Sequence, residues 1–327
     1  MKLIVAGQNE AGQRLDKLLA KILNNAPKSF IYKMLRKKNI VLNGKKADGS
    51  ERVALNDEIK LFLSEETIAK FTKETNLLAD TTAVEKALDI LYEDSHIVVI
   101  NKPLGLLSQK ADKNDISMVE YLISYLLSTK YMDEQQLQSF KPGICNRLDR
   151  NTSGLLIAGK SLLGLQEMSR ILKERELDKY YLSIIKGKLD SKKRIEGYLI
   201  KDKERNRVHV YPKEREGAEY ICTEYEPLQY SQDGQYTMLQ VKLVTGRSHQ
   251  IRAHLASIGH PIIGDFKYGD PKINHNMKKS FGLSHQLLHS HRLVFPNLEG
   301  EFSYLSGKEF TAQVPDLFKS IEKELFD

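Results

Sequence analysis

From residue 87 onward the chain is dominated by short runs of β-branched and aromatic residues that follow one another with few helical stretches between them. ILY, HIVVIN, LLIAGK, YYLSIIKG, RVHVY and YTMLQVKLV read as strands, whereas helical spacing is confined to windows such as 117–130 and 162–175. Parallel strands need a crossover between them, so this order predicts an α+β domain with a mixed, largely antiparallel sheet flanked by helices. With 41% hydrophobic residues there is enough apolar material for such a core, and 327 residues leave room for a second, smaller domain.

That second domain is expected at the N-terminus, where the charge balance changes. Residues 1–60 hold 13 Lys/Arg against 6 Asp/Glu, which accounts for the whole surplus of +7. Clustered cations gain affinity for phosphates by releasing counterions, so an anionic partner is expected. Leu15, Leu18, Leu19 and Ile22 recur at helical spacing, with Arg14, Lys17 and Lys21 off the apolar stripe. Ser29 reads as the N-cap of a second helix that turns Ile31, Met34 and Leu35 inward and Lys33, Arg36, Lys37 and Lys38 outward. Ile40-Val41-Leu42 meets Asn43-Gly44, a hairpin signal, and 57–62 reads as a closing strand. The succession RLDKLL, lysine-rich helix, IVLNGK and NDEIKL resembles the RNA-binding domain named after ribosomal protein S-four. Residues 63–84 turn acidic and polar, so the expected division is a small α/β RNA-binding domain over 1–62, a linker over 63–84 and a catalytic domain over 85–327.

Neither a Gly-rich phosphate loop nor a dinucleotide fingerprint is present, and no apolar run is long enough for a membrane helix. The opening MKLIVAG is too short an apolar stretch for a signal peptide, and Cys145 and Cys222 are the only thiols, which predicts a reducing cytoplasm. Both cysteines read as packing residues. His249, His254 and His260 lack the spacing of a zinc motif, so no metal is expected and the histidines read as structural or RNA-facing.

Four polar clusters interrupt the apolar runs. In Asn146-Arg147-Leu148-Asp149-Arg150-Asn151-Thr152-Ser153-Gly154, two arginines flank a carboxylate and favour its charged form, suiting it to act as nucleophile or base; the plainer reading is a turn capped by Asp149 and Thr152. Lys179-Tyr180-Tyr181 could present a ring for stacking or simply fill core. In the stretch from Thr245 to Gly269, Ile251, Leu255 and Ile258 mark an apolar helix face. Arg252 lies near that helix's start and could pair bidentately with Asp149, while Arg247 and His249 read as RNA-facing. The fourth cluster, His289 to Phe295, reads as a late strand.

Taken together and in this order, after INKPLGLLS, the motifs NRLDRNTSGLLIAGK, Lys179-x-Tyr181, TGRSHQIRAHLASIGHPIIGD and LLHSHRLVF resemble the RluA/RluC family of pseudouridine synthases. The resemblance implies that Asp149 is the catalytic aspartate, Tyr181 the tyrosine that stacks on the target base, and Arg252 the arginine that pairs with the aspartate. It further implies that Arg147 helps displace the target nucleotide and that Ile251 and Leu293 line the pocket. Asn146 stands where the family usually has His, and Phe295 is followed by Pro296-Asn297 rather than the usual x-His-Pro. Asn still offers a donor and an acceptor there, so altered hydrogen bonding rather than lost chemistry is expected.

The reaction so implied turns uridine into pseudouridine, an isomerisation that needs no redox cofactor, nucleotide or metal. The expected substrate is structured RNA, foremost large-subunit (23S) ribosomal RNA or its assembling particle, met by a cytoplasmic protein with no membrane partner and monomeric by default. The same chemistry on transfer RNA is one alternative. A non-catalytic RNA-binding or ribosome-assembly factor is another, although such a factor has no use for a carboxylate that repels phosphate.

Overall fold

The computed structural model describes residues 1–72, 88–112 and 114–327. In the N-terminal part, helices α1 (Leu15–Ile22) and α2 (Lys28–Arg36) lie against a sheet of β1 (Lys2–Val5), β2 (Ile40–Leu42), β3 (Lys45–Lys46) and β4 (Glu58–Leu61), ordered β1-β4-β2-β3. The stripe Leu15, Leu18, Leu19 and Ile22 is buried, as are Ile31, Met34 and Leu35. Each fully buried aliphatic side chain stabilises by about 1.5–3 kcal/mol. The β2–β3 turn holds Asn43 at φ 50° and Gly44 at φ 72°, the left-handed pair a two-residue hairpin requires. Helix α2 begins two residues earlier than Ser29 predicts: Pro27, with φ −66° and no N–H to leave unpaired, occupies the cap. Strand β1 is an element the sequence reading passed over.

The segment read as linker starts with a helix, α3 (Glu65–Phe71), capped by Ser64, whose Oγ accepts the Thr67 N–H at 3.2 Å. Its Ile68 and Phe71 pack on the N-terminal core, with the Phe71 and Phe30 ring centroids 4.2 Å apart. The stretch of that linker from 73 to 84 lies outside the described residues.

The remaining strands form one mixed sheet. In spatial order it runs β11 (Arg207–Tyr211), β10 (Lys193–Asp202), β12 (Glu219–Tyr230), β13 (Tyr236–Leu243), β9 (Asp178–Lys186), β14 (Leu288–Val294), β8 (Ser153–Gly159), β6 (Ile97–Lys102) and β5 (Ile90–Glu93), with β7 (Gly143–Ile144) on β8 and β15 (Glu309–Thr311) on β14. All pairings are antiparallel except β14 with β8. That parallel pair approaches so closely at Gly154, φ 107°, that a Cβ there would lie 2.1 Å from the Ser290 carbonyl oxygen. Strands β10 and β12 were not anticipated: β10 opens on exposed Lys193, Arg194 and Glu196, and β12 breaks its apolar run with the half-buried Glu224 and Glu226.

Helices α4 (Met118–Ser128), α5 (Glu134–Ser139), α6 (Leu162–Lys173), α7 (Gln250–Ser257), α8 (Pro271–Phe281) and α9 (Asp316–Phe326) cover the sheet. Helix α4 starts in a capping box between Ser117 and Glu120. The apolar face of α7 is shorter than its spacing predicts, because the helix ends at Ser257 and leaves Ile258 36% exposed. Among the described residues no helix is long and apolar enough to cross a membrane. The two parts of the chain touch: the Leu162 N–H donates to Asn9 Oδ1 at 2.9 Å, and Ser139 hydrogen-bonds Glu10.

Candidate active site

The loop between β7 and β8 carries the first polar cluster, and its shape is set by backbone pins. Ser108 Oγ donates to the Leu148 carbonyl and accepts the Leu148 N–H, both at 2.9 Å. The Gly105 N–H donates to the Arg150 carbonyl at 3.0 Å. Lys102, 0% exposed, donates to the carbonyls of Pro103 and Leu106 at 2.8 Å and of Arg150 at 3.1 Å. Burial lowers the Lys102 ammonium to about 8, with Asp149 pulling the other way. At the loop's start Asn146 uses both halves of its amide on β8, donating to Leu155 O at 3.2 Å and accepting the Ile157 N–H at 2.7 Å. One donor and one acceptor position are thereby spent on the scaffold, while Asn146 itself lines the cleft beside Arg147.

So held, Asp149 presents its carboxylate to a cleft of about 1150 Å³. Arg252, 7% exposed on the first turn of α7, donates from Nη1 to Asp149 Oδ2 at 2.7 Å. The bidentate grip expected with Asp149 is made instead to Asp265, with Nε to Oδ2 at 2.7 Å and Nη2 to Oδ1 at 3.0 Å. Only the remaining edge of the guanidinium reaches Asp149. Burial works against the Arg252 charge, but the bonds and attraction from Asp265 and Asp149 outweigh it and hold the guanidinium above its ordinary value. Asp265 is fully buried, which alone would raise its carboxyl, yet Arg252 and the Lys267 and Tyr268 N–H groups keep it below the usual range. The start of α7 is fixed by Gln250, whose amide donates to Cys222 O and Thr223 Oγ1 and accepts from Thr245 Oγ1 and the Arg247 N–H.

Tyr181 points into the same cleft from β9, 4% exposed, with its neighbour on that strand face, Lys179, also buried. Burial pushes the Tyr181 hydroxyl well up; a hydrogen bond to Ser290 pulls the other way and Asp149 adds to the rise. His249 sits with φ 54° just before α7, its Nδ1 2.9 Å from the Tyr268 hydroxyl and its Nε2 4.0 Å from Asp149 Oδ2. Burial lowers its ring nitrogen against the pull of Asp149. Arg147 is exposed at the cleft and, among the described residues, has no partner; Arg247 at the rim pairs with Glu219 at 2.7 Å.

Two expected lining residues lie elsewhere. Ile251 packs in the central core and Leu293 in the opposite layer with Phe295 and Phe302, and neither lines the cleft. Strand alternation and the helix turn send both away from the cleft. Conversely, Asp265, Lys102, Ser290 and Gln250 take part in the site although sequence reasoning gave them no role. Asp265 was legible in principle, as a lone carboxylate closing the apolar stretch GHPIIGD. Burial pushes the Cys145 thiol up to about 12, and His254 and His289 fall to about 4 through burial, each holding a hydrogen-bond partner.

Among the described residues, ten lysines and arginines line this cleft, against a single carboxylate, Asp149. A groove that cationic suits a polyanion, and one pinned carboxylate facing a buried tyrosine marks it as an enzyme of RNA chemistry rather than a passive clamp. Residues 96–257 match the RNA pseudouridylate synthase family and residues 13–59 match the S4 domain. An uncharacterized RNA pseudouridine synthase of Mycoplasma genitalium is 30% identical over 298 residues, covering 91% of this chain and 90% of that protein. Ribosomal large subunit pseudouridine synthase C of Escherichia coli K12 is 28% identical over 306 residues, covering 90% and 88%. The fold recurs in human RNA pseudouridylate synthase domain containing 4, with TM-score 0.56, 20% identity and coverage of 75% of this chain and 94% of that one. The chain belongs to the RNA pseudouridine synthase family, with an S4 domain at its N-terminal end.

Proposed function

We propose that the enzyme isomerises uridine in large-subunit (23S) ribosomal RNA, in the cytoplasm where that RNA resides, with Asp149 as nucleophile. The observation that carries this reading is the Asp149 carboxylate, gripped by Arg252 and set as the only acid among the described residues of a cationic cleft. The relative named as acting on the ribosomal large subunit supports the choice of RNA. Residues 1–62 with their exposed α2 lysines supply phosphate affinity, and residues 85–327 the chemistry. A single chain carries every group used, so a monomer suffices.

The target base leaves its stack at a cost of about a few kcal/mol, and Arg147 takes the vacated space. Asp149 attacks C1′ of the ribose or C6 of uracil; either route breaks the N1–C1′ bond. The base turns, C5 bonds to C1′, the carboxylate is freed, C5 loses its proton and N1 gains one from solvent. Tyr181 stacks on the detached ring. Because burial keeps its hydroxyl protonated, Tyr181 relays the C5 proton onward rather than keeping it, and the freed Asp149 carboxylate is an acceptor in the same cleft.

Asp149→Asn is expected to cut turnover on the order of a thousandfold or more while RNA binding persists. Pseudouridine mapping of all cellular RNA from cells carrying only this variant should lose particular sites in 23S ribosomal RNA. Loss in transfer RNA would move the substrate; unchanged modification everywhere would favour the assembly-factor reading.

A further inference from the structure

Adjoining the cleft at Arg252 lies a second cavity of about 410 Å³, within the rough 300–1,000 Å³ span of small-ligand sites. Three loops wall it: the β10–β11 turn with Arg205 and Arg207, the 264–267 turn with Phe266 and Lys267, and 284–286 with His285, while Asn151 of the catalytic loop lines both this cavity and the cleft.

Its chemistry is that of a ligand site with unspent groups. Phe266 is 60% exposed, although the residue before it is the fully buried Asp265 that clamps Arg252. A fixed turn therefore holds an aromatic face out toward solvent. Among the described residues no carboxylate lines the cavity; Arg205 meets Asp202 only at 4.0 Å, and Arg207 has no acidic partner, its guanidinium lying 5.5 Å from the Tyr268 ring. Lys267 ties the two turns together through Asn206 O at 2.6 Å. The side chains of His285 and Asn151 make no hydrogen bond within the described residues, and burial lowers the His285 ring nitrogen so that it can both donate and accept as neutral imidazole. A planar apolar platform, phosphate-seeking cations and two uncommitted hydrogen-bonding side chains match one nucleotide.

We propose that this cavity is a second nucleotide subsite, in which an unpaired nucleotide flanking the target uridine stacks on Phe266 and places its phosphate at Arg205 and Arg207. The proposal rests on the RNA substrate assigned above. It makes the enzyme read a splayed segment rather than a lone flipped base, with Asn151, Arg252, Lys267 and Gln286 as the shared wall between the two sites.

The test uses the full-length protein and 23S ribosomal RNA transcribed with uridine tritiated at C5, following tritium release. Phe266→Ala should raise KM about tenfold, inside the range of base–aromatic stacking, with kcat within twofold of wild type. Phe266→Tyr should restore KM, and Arg205→Ala with Arg207→Ala should raise KM and weaken its salt dependence. An unchanged KM in Phe266→Ala, or a fall in kcat alone, would overturn the subsite. In parallel, an oligouridylate carrying one 2-aminopurine reports stacking directly: wild type should quench its fluorescence and Phe266→Ala should not. If wild type releases no tritium, the substrate assignment fails, and the quenching difference decides the subsite by itself.

Discussion

The cations of α2 and those of the cleft floor carry the same charge and are held in opposite ways. Lys33 and Arg36 on α2, with Lys37 and Lys38 in the turn just past the helix rather than on it, are all exposed and make no ion pair among the described residues. Arg252 is 7% exposed and spends its donors on two carboxylates. Free cations on flexible stems follow a phosphate chain wherever it runs and are screened by salt. A clamped guanidinium gains little affinity but fixes where a carboxylate points, which is what a reacting atom needs. The comparison assigns attraction to one region and geometry to the other.

The most severe break of that contrast removes the clamp. Asp265→Ala leaves Arg252 buried with Asp149 as its one carboxylate and the Tyr268 ring 5.3 Å away, so it should cost about 3–5 kcal/mol of stability, read by denaturant unfolding. The guanidinium is then free to turn, and kcat should fall by on the order of 100-fold in tritium release, with KM little changed. If kcat held, Arg252 would need no positioning and the cleft cations would be no different in kind from those of α2.

Neutralising Lys33, Arg36, Lys37 and Lys38 together should have the reverse profile. KM should rise roughly tenfold at low salt with kcat unchanged, and the logarithmic salt slope should flatten by up to about 3. Substitution is cleaner here than truncation at residue 62, which would strip Ile68 and Phe71 of the core they cover. An unaltered salt slope would mean that α2 does not meet phosphate.

Much of this was legible in the sequence, and the limits have physical reasons. The stripe Leu15, Leu18, Leu19, Ile22 and the Asn43-Gly44 turn are local codes, set by periodicity and by left-handed backbone, and the structure has both. The Asp149 contact with Arg252 was readable from motif order, but its geometry was not, because Asp265 reaches Arg252 only after the chain turns at Gly264. Ile251 and Leu293 failed as lining residues for a related cause: the side of an element that meets the cleft depends on what packs behind it. Strands β10 and β12 escaped because their edges are polar, and the role of Lys102 because a lysine fully enclosed by carbonyls has no mark in sequence.

Lys102 extends the contrast to a cation that is buried without a clamp of its own. Its folded-state value near 8 lies below the ordinary 10.5, so between those values the unfolded chain holds more protons and stability increases with pH. The gain should be on the order of 2 kcal/mol across that window, complete near pH 10.5, and absent in Lys102→Met. That variant starts less stable, since the Pro103 and Leu106 carbonyls lose their donor, and the slope of unfolding free energy against pH is what separates the two effects.

The smallest expected effect lies where the two regions meet. Helix α6 begins with Ser161, whose Oγ accepts the Gly164 N–H, and this leaves the Leu162 N–H to find another acceptor. It finds Asn9 Oδ1, from the far side of the boundary, at 2.9 Å. One domain thus caps a helix of the other, and a lost cap is worth about 1 kcal/mol. Asn9→Ala should lower stability by that amount in denaturant unfolding while leaving kcat and the salt slope unchanged. If KM for RNA rises with it, the contact also orients the α2 cations toward the cleft, and attraction and geometry are coupled through this one hydrogen bond. If KM stays fixed, the two regions act on the RNA independently.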